Sequence, residues 1–191
     1  MGISLEPATN PNLFSALRLS GQMDSQICDM RDRNEVRSRL QRMEPEVVIH
    51  MAAQALVRES YISPVETFET NILATLYLID SLRSLASVKS IVIVTTDKCY
   101  ENKEWQRPYR EDDALGGADP YSSSKACAEI LTHSMRRSFF SEDQKVGIAT
   151  ARAGNVIGGG DWSKHRLLPD IAQAHFQKTE LKIRNANAVR P

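Results

Sequence analysis

Residues 89–98 read KSIVIVTTDK. The run from Ile91 to Val94 is continuous, apolar and β-branched, the pattern of a strand buried on both faces of a parallel sheet. Two hydroxyls, a carboxylate and an amine follow at once: Thr95, Thr96, Asp97 and Lys98. In open parallel sheets, ligands bind beyond the carboxyl ends of the strands. A strand ending in TTDK therefore sets reactive groups on the functional edge. Taken alone, a solvated turn capped by Asp97 explains the same letters.

Working outward, two more apolar runs read as strands: Glu46–Met51 (EVVIHM) and the weaker Val146–Ala151 (VGIATA), with Lys89–Thr95 between them. Helical patterns separate them. Arg33–Met43 is amphipathic, with Val36 and Leu40 inward. Ser63-Pro64-Val65-Glu66 reads as a capping box with proline at the first helical position. The helix it opens runs to about Ala86, with Phe68, Ile72, Leu76 and Ile79 as its apolar stripe. A third helix starts near Tyr121, with Cys127, Ile130, Leu131, Ser134, Met135 and Ser138 on its apolar or small face. Strands alternating with helices of this length imply right-handed βαβ units, an α/β fold with a parallel sheet. The polar stretch Glu101–Asp119 reads as a long loop, which in a compact domain is often functional. Both ends look cut. The first ~25 residues hold no strong signal beyond Asn12–Leu19, and LKIRNANAVRP begins a strand-like run and stops.

The 191 residues suit one domain with a sizeable core. Lys+Arg and Asp+Glu both number 24, so no basic excess points to nucleic acid or an anionic membrane. No run is long enough to span a bilayer. The N-terminus lacks the basic and apolar regions of a secretory signal, so the reading is cytoplasmic. Cys28, Cys99 and Cys127 are odd in number and widely spaced, reading as reduced thiols, with no metal site.

One loop after TTDK comes DPYSSSKACAEI. Tyr121 and Lys125 stand four apart, so a helix puts phenol and ammonium on one face. A nearby cation favours phenolate, making tyrosine a usable base near neutral pH. With this pair, the catalytic reading of Thr96 and Asp97 displaces the capped turn. His50-Met51-Ala52-Ala53-Gln54 closes the first strand, and its small residues permit close approach of a flat cofactor; tight helix–strand packing explains them equally. His50, inside an apolar strand, reads as a satisfied core histidine. Asp29 is placed to accept from an adenine amine, or one of Asp29 and Asp32 caps the next helix. Gly158-Gly159-Gly160 is not a phosphate loop, since the run is not G-x-G-x-x-G and no clear helix begins after it. Asp161, Trp162 and Arg166 follow, able to pair with phosphate or stack on a base; a surface loop with a half-buried tryptophan competes.

The segments SLEPATNPNLF, HMAAQALVRESYISPVETFETN, TTDKCYENKEW, PYSSSKACAE and ARAGNVIGGGDWSKHRLLPDI together resemble the extended short-chain dehydrogenase/reductase family, in its nucleotide-sugar 4,6-dehydratase subgroup. The resemblance runs from about Leu5 to Pro191. It implies a Rossmann-like doubly wound sheet, here truncated at both ends: a partial NAD-binding domain over 1–154 and the start of a substrate-binding region over 155–191. It implies NAD as cofactor and CDP-glucose as substrate. Thr96, Asp97, Lys98, Tyr121 and Lys125 become the catalytic set. Asp29, Met30, Ala52, Ala53, Gln54 and Thr95 join Tyr121 and Lys125 around the cofactor. Asn155, Asp161, Trp162, Arg166 and Arg190 fall on the nucleotide-sugar side. A homodimer through the Pro64–Ala86 and Tyr121–Phe140 helices is implied as well. The family's glycine-rich G-x-x-G-x-x-G turn is absent from these 191 residues. If they are the whole polypeptide, weak NAD⁺ binding and little turnover are expected. The alternatives are an epimerase or reductase on the same scaffold, or an inert product.

Overall fold

β-branched runs and helical stretches alternate in space as they do in sequence. The computed structural model describes residues 1–140, 146–183 and 186–189. It divides into two compact units, one of 28–154 and one of 1–27 with 155–189.

The larger unit is built on three parallel strands in the order β3 (Val47–His50), β4 (Ser90–Thr96) and β5 (Gly147–Ala153). The register pairs Val47 with Ser90 and Ser90 with Gly147. Ile91 and Ile93 of β4 are buried, as is Ile148 of β5. Burying each such side chain contributes about 1.5–3 kcal/mol. Helix α2 (Arg33–Met43) buries Val36 and Leu40 as expected, and Asp32 caps it by accepting from the amides of Asn34 and Glu35.

The crossover from β3 to β4 departs from its sequence pattern. It comprises α3 (Val57–Ile62), α4 (Pro64–Phe68), a π-helical turn (Glu69–Leu73) and α5 (Ala74–Leu82). Ser63 makes no side-chain cap, so the expected capping box is not formed, although Pro64 does occupy the first helical position. The buried face carries Thr67, Asn71, Thr75, Leu78 and Leu82. Phe68, Ile72 and Leu76 are only partly buried, and Ile79 alone of the expected stripe is fully buried. Each polar member has hydrogen-bond partners, which removes the penalty for burying it. Thr67 Oγ1 donates to Ser63 O (2.9 Å) and accepts from Gln54 Nε2 (2.8 Å).

Helix α6 (Pro120–Phe139) starts at Asp119, whose carboxylate accepts from the Ser122 amide. Gly117, at φ +154°, lies against its first turn, where an added Cβ would sit 2.4 Å from the Ser123 nitrogen. Its inward face is not the expected one. Ser122, Ser124, Lys125, Ala128, Glu129, Thr132 and Met135 are buried, whereas Ile130 is exposed. Of the predicted set only Met135 is buried, because the face packed against the sheet is fixed by polar links from Lys125 and Glu129.

The smaller unit contains β1 (Gly2–Ser4) and β2 (Ser25–Ile27), paired in parallel, with α1 (Leu13–Ala16) and α7 (Leu167–Gln177). The two short strands had no clear sequence signal. Asn12 caps α1. Gly160, at φ +79°, packs against Leu13, and a Cβ there would stand 2.4 Å from Leu13 Cδ1. Gly160 thus has a packing reason, whereas a Cβ at Gly158 or Gly159 would meet nothing within 4 Å. The strand-like run at the C-terminal end forms no strand over 181–183; residues 184–185 and Arg190 lie outside the described residues.

Candidate active site

The carboxyl end of β4 carries the site. Thr95 and Thr96 are both buried. Thr96 Oγ1 donates to Asp97 Oδ1 (3.0 Å) and accepts from the Lys98 amide (3.4 Å), capping a single 3-10 turn, Asp97–Cys99. The turn of the capped-turn reading exists, with Thr96 rather than Asp97 as its cap. Asp97 and Lys98 remain half-buried. Gly154, just past β5, places its Cβ position 3.9 Å from Asp97 Oδ2. An open groove of about 1150 Å³ borders Asp97 between α6, β5 and the 101–119 loop.

Tyr121 and Lys125 enter from the first turns of α6. Tyr121 is half-buried; Lys125 is 8% exposed, and its Nζ donates to Val94 O (3.1 Å). Burial pushes the Lys125 ammonium down from 10.5 to about 8. Below pH 8 the folded and unfolded chains both hold this proton, and the burial penalty acts in full. Between about pH 8 and 10.5 only the unfolded chain holds it, so stability rises with pH across that window. The gap corresponds to about 3 kcal/mol, and losing the bond to Val94 offsets about 1 kcal/mol of it. Lys125→Met is therefore expected to stabilise the fold by about 2 kcal/mol at pH 7. Urea unfolding should show that advantage disappearing towards pH 10. A pH-independent difference would contradict the argument.

His50 is the satisfied core histidine that its strand position implied. Thr75 Oγ1 donates to Asn71 O (2.9 Å), so His50 Nε2 carries the proton and donates to Thr75 (3.0 Å). Burial, with a lesser contribution from the Lys125 charge, depresses it to about 4, which leaves it neutral at pH 7.

The residues after β3 divide in two. Ala52 and Ala53 are small and half-buried. Gln54 is committed to the fold: its Nε2 donates to Thr67, its Oε1 accepts from the Leu56 amide (2.6 Å), and its backbone pairs with Asn71 at both N–H and C=O. Thr95 likewise turns its hydroxyl inward to Glu129. Asp29 does not cap α2. Its carboxylate is gripped by Arg31 through Nε and Nη2 (3.0 and 2.6 Å), and those bonds hold it below the usual carboxylate range. Met30 beside it is buried. In the smaller unit, Asp161 accepts from Arg166 Nη1 (3.2 Å) and from the Ser163 amide, Arg166 stands at the start of α7, Trp162 is partly buried and Asn155 is exposed.

Sequence reasoning missed Asn71. It is 1% exposed, receives the Gln54 amide, and donates to Gln54 O (3.0 Å) and Ser124 Oγ (2.8 Å), and Ser124 in turn donates to Tyr121 O (2.7 Å). One amide side chain thus joins the segment after β3 to the helix of Tyr121. The available signal was the four-residue spacing of Thr67, Asn71 and Thr75. Among the described residues, no group of His, Cys, Asp or Glu is placed to hold a metal ion, and no helix is long and apolar enough to cross a membrane.

Comparison with known proteins places this geometry. The chain is 46% identical to the CDP-glucose 4,6-dehydratase of Salmonella typhimurium, over all of its own length and 54% of that protein's. It is 27% identical to the UDP-glucose 4-epimerase of Bacillus subtilis, over 80% of its length and 46% of that protein's. It thus spans about half the length of these relatives. Among solved structures it resembles a dTDP-glucose 4,6-dehydratase from Streptomyces venezuelae, solved with NAD bound (TM-score 0.77, 21% identity, 92% of this chain and 52% of that one). A UDP-glucuronic acid 4-epimerase from Bacillus cereus, also solved with NAD, matches at TM-score 0.76 and 19% identity, over 94% of this chain and 56% of that one. The likeness to these structures is one of fold, and bears out the Rossmann-like α/β class. The sequence model of the GDP-mannose 4,6-dehydratase family matches residues 9–190, so the chain belongs to that family.

Proposed function

We propose that this chain carries the catalytic segment of an NAD-dependent nucleotide-sugar 4,6-dehydratase acting on CDP-glucose. The observation that carries the reading is the buried Lys125, four residues from Tyr121 and anchored to the strand that ends in Thr96 and Asp97. Identity of 46% to a CDP-glucose 4,6-dehydratase supports the substrate.

The residues present fit part of a dinucleotide. Small, half-buried Ala52 and Ala53 past β3 leave room for it, and the Asp29 carboxylate would take the adenosine end beside Met30. Gln54 and Thr95 would contribute backbone rather than side chain, since their side chains are engaged internally. When bound, NAD supplies the hydride acceptor for C4 and returns the same hydride to C6, so there is no net redox change. Tyr121 would take the proton of the C4 hydroxyl, while the Lys125 ammonium would favour the phenolate and would help hold the nicotinamide ribose. Thr96 hydrogen-bonds the C4 oxygen. The C4 ketone would acidify the C5 hydrogen, which Lys98 would remove as a proton and give back to C5 when hydride reaches C6, while Asp97 would protonate the departing C6 hydroxyl, which leaves as water. Asn155, Asp161, Trp162, Arg166 and Arg190 are assigned to the nucleotide diphosphate side. In this reading 1–154 is the dinucleotide-binding part and 155–191 opens the substrate part, in a cytoplasmic homodimer.

Incubation with CDP-glucose and NAD⁺ tests the reading. A 4-keto-6-deoxy sugar, read by its chromophore in alkali, is expected. A product with its C6 hydroxyl intact and C4 inverted would replace the dehydratase with an epimerase, the activity named for the Bacillus subtilis relative.

A further inference from the structure

Tyr121, Lys125 and Glu129 follow one another at four-residue spacing on α6 and share a side of it. The first two belong to the proposed chemistry. Glu129 does not, yet it is 5% exposed and fully engaged. Its Oε1 accepts from Thr95 Oγ1, and its Oε2 accepts from Thr150 Oγ1 (2.9 Å) and Arg152 Nη2 (3.0 Å). Burial alone would raise the Glu129 pKa; hydrogen bonds from Arg152, Thr95 and Thr150 outweigh it and hold the carboxyl ionised. A buried carboxylate that ties one helix to two strands is a strong geometric constraint, because removing one partner strands a charge.

The constraint acts along a definite axis. Lys125 bonds Val94 and Glu129 bonds Thr95, so successive turns of α6 hold successive residues of β4. That fixes the axial register of the helix of Tyr121 against the strand of Thr96. Arg152 extends the link. Its Nη1 donates to Glu111 O (3.1 Å), and its guanidinium lies 4.7 Å from the Tyr100 ring centre. Tyr100 packs on Tyr109, and Tyr109 on Trp105. The base of this loop is closed by Glu101 N–H to Ala114 O and Gly116 N–H to Cys99 O.

We propose that Glu129 and Arg152 form a positioning pair. The carboxylate sets the register of α6 against β4, and the guanidinium ties that register to the 101–119 loop, which lines the same groove as Asp97. The consequence for Tyr121 rests on the dehydratase reading; the anchoring of the loop does not. The test uses Glu129→Ala, Glu129→Gln and Arg152→Lys. Glu129→Gln keeps the shape, and Arg152→Lys keeps the charge but not the fork. Hydrogen exchange at the Glu101 and Gly116 amides should quicken about tenfold in Glu129→Ala relative to the amides of α2, with the two conservative variants in between. Leu40→Ala, on α2, serves as a destabilised control that should not single out the loop. Where turnover is measured, the acid limb of kcat/KM should move by about half a pH unit in Glu129→Ala, as Lys125 shifts relative to Tyr121, and partly return in Glu129→Gln. A smaller folded fraction would lower the plateau without moving that limb. Loop exchange no faster than that of α2, or an unmoved limb, overturns the proposal. Absence of turnover in the unaltered protein counts against the dehydratase reading alone and leaves the exchange result to decide this one.

Discussion

On the proposed dehydratase reading, Tyr121→Phe is expected to lower kcat on CDP-glucose by about 10²–10⁴-fold, the usual worth of a general base. The substitution removes one oxygen and little else. The helix start is held by Asp119 and Pro120, and Ser124 bonds the carbonyl of residue 121 whatever its side chain. The melting temperature should therefore stay close to that of the unaltered chain, and KM should change far less than kcat. Steady-state kinetics with calorimetry on the same preparation separates these effects. Activity within tenfold of the parent would remove Tyr121 from the chemistry.

Asn71→Ala is expected to cost about 4 kcal/mol of unfolding free energy, the largest stability effect anticipated. It leaves the Gln54 N–H, the Gln54 C=O and the Ser124 hydroxyl each short of a partner in a buried setting. Each orphaned Gln54 group costs about 1–3 kcal/mol, and the Ser124 hydroxyl, which keeps its bond to Tyr121 O, costs less. Asn34→Ala, on the exposed face of α2, should change stability by less than about 0.5 kcal/mol. Equal losses at the two positions in urea unfolding would show that the Asn71 bonds carry no special weight.

The three core strands were legible because β-branched runs have few other uses. Ser90–Thr96 and Gly147–Ala153 fall within a residue or two of their expected limits. The helices were legible as helices; α2 was also in phase, with Val36 and Leu40 inward, but α6 and the β3–β4 crossover were not. Reading apolar as inward failed twice, at Ile130 on α6 and at Phe68, Ile72 and Leu76 in the β3–β4 crossover, since the packed faces hold Thr67, Asn71, Thr75 and Glu129. A buried polar face is invisible to hydropathy because its satisfaction depends on partners distant in sequence. Glu129 meets Thr95 and Arg152, and Asn71 meets Gln54 and Ser124; no local pattern announces those meetings. The placing of Tyr121 and Lys125 on one side of a helix was legible for the opposite reason: it needs only helical spacing. The inward turn of Thr95 was not, because strand alternation decides it and a one-residue change of phase reverses it; that of Gln54, past the end of β3, depends on Thr67 and Asn71 farther along the chain.

The wide turn at Glu69–Leu73 has a bearing on chain length. A π turn holds one residue more than α geometry requires, and its flanks keep the orientation of a shorter, regular helix. Losing one residue within the first turn of α5, between Ala74 and Tyr77, would swing everything beyond it by about 100°, turning Leu78 and Leu82 away from the core. Losing one within Glu69–Leu73 would let the turn tighten and leave both flanks facing as before, forfeiting only the aim of Asn71. That stretch is the slack in an otherwise taut helix, the one place along it where a codon could vanish without disturbing the packing downstream.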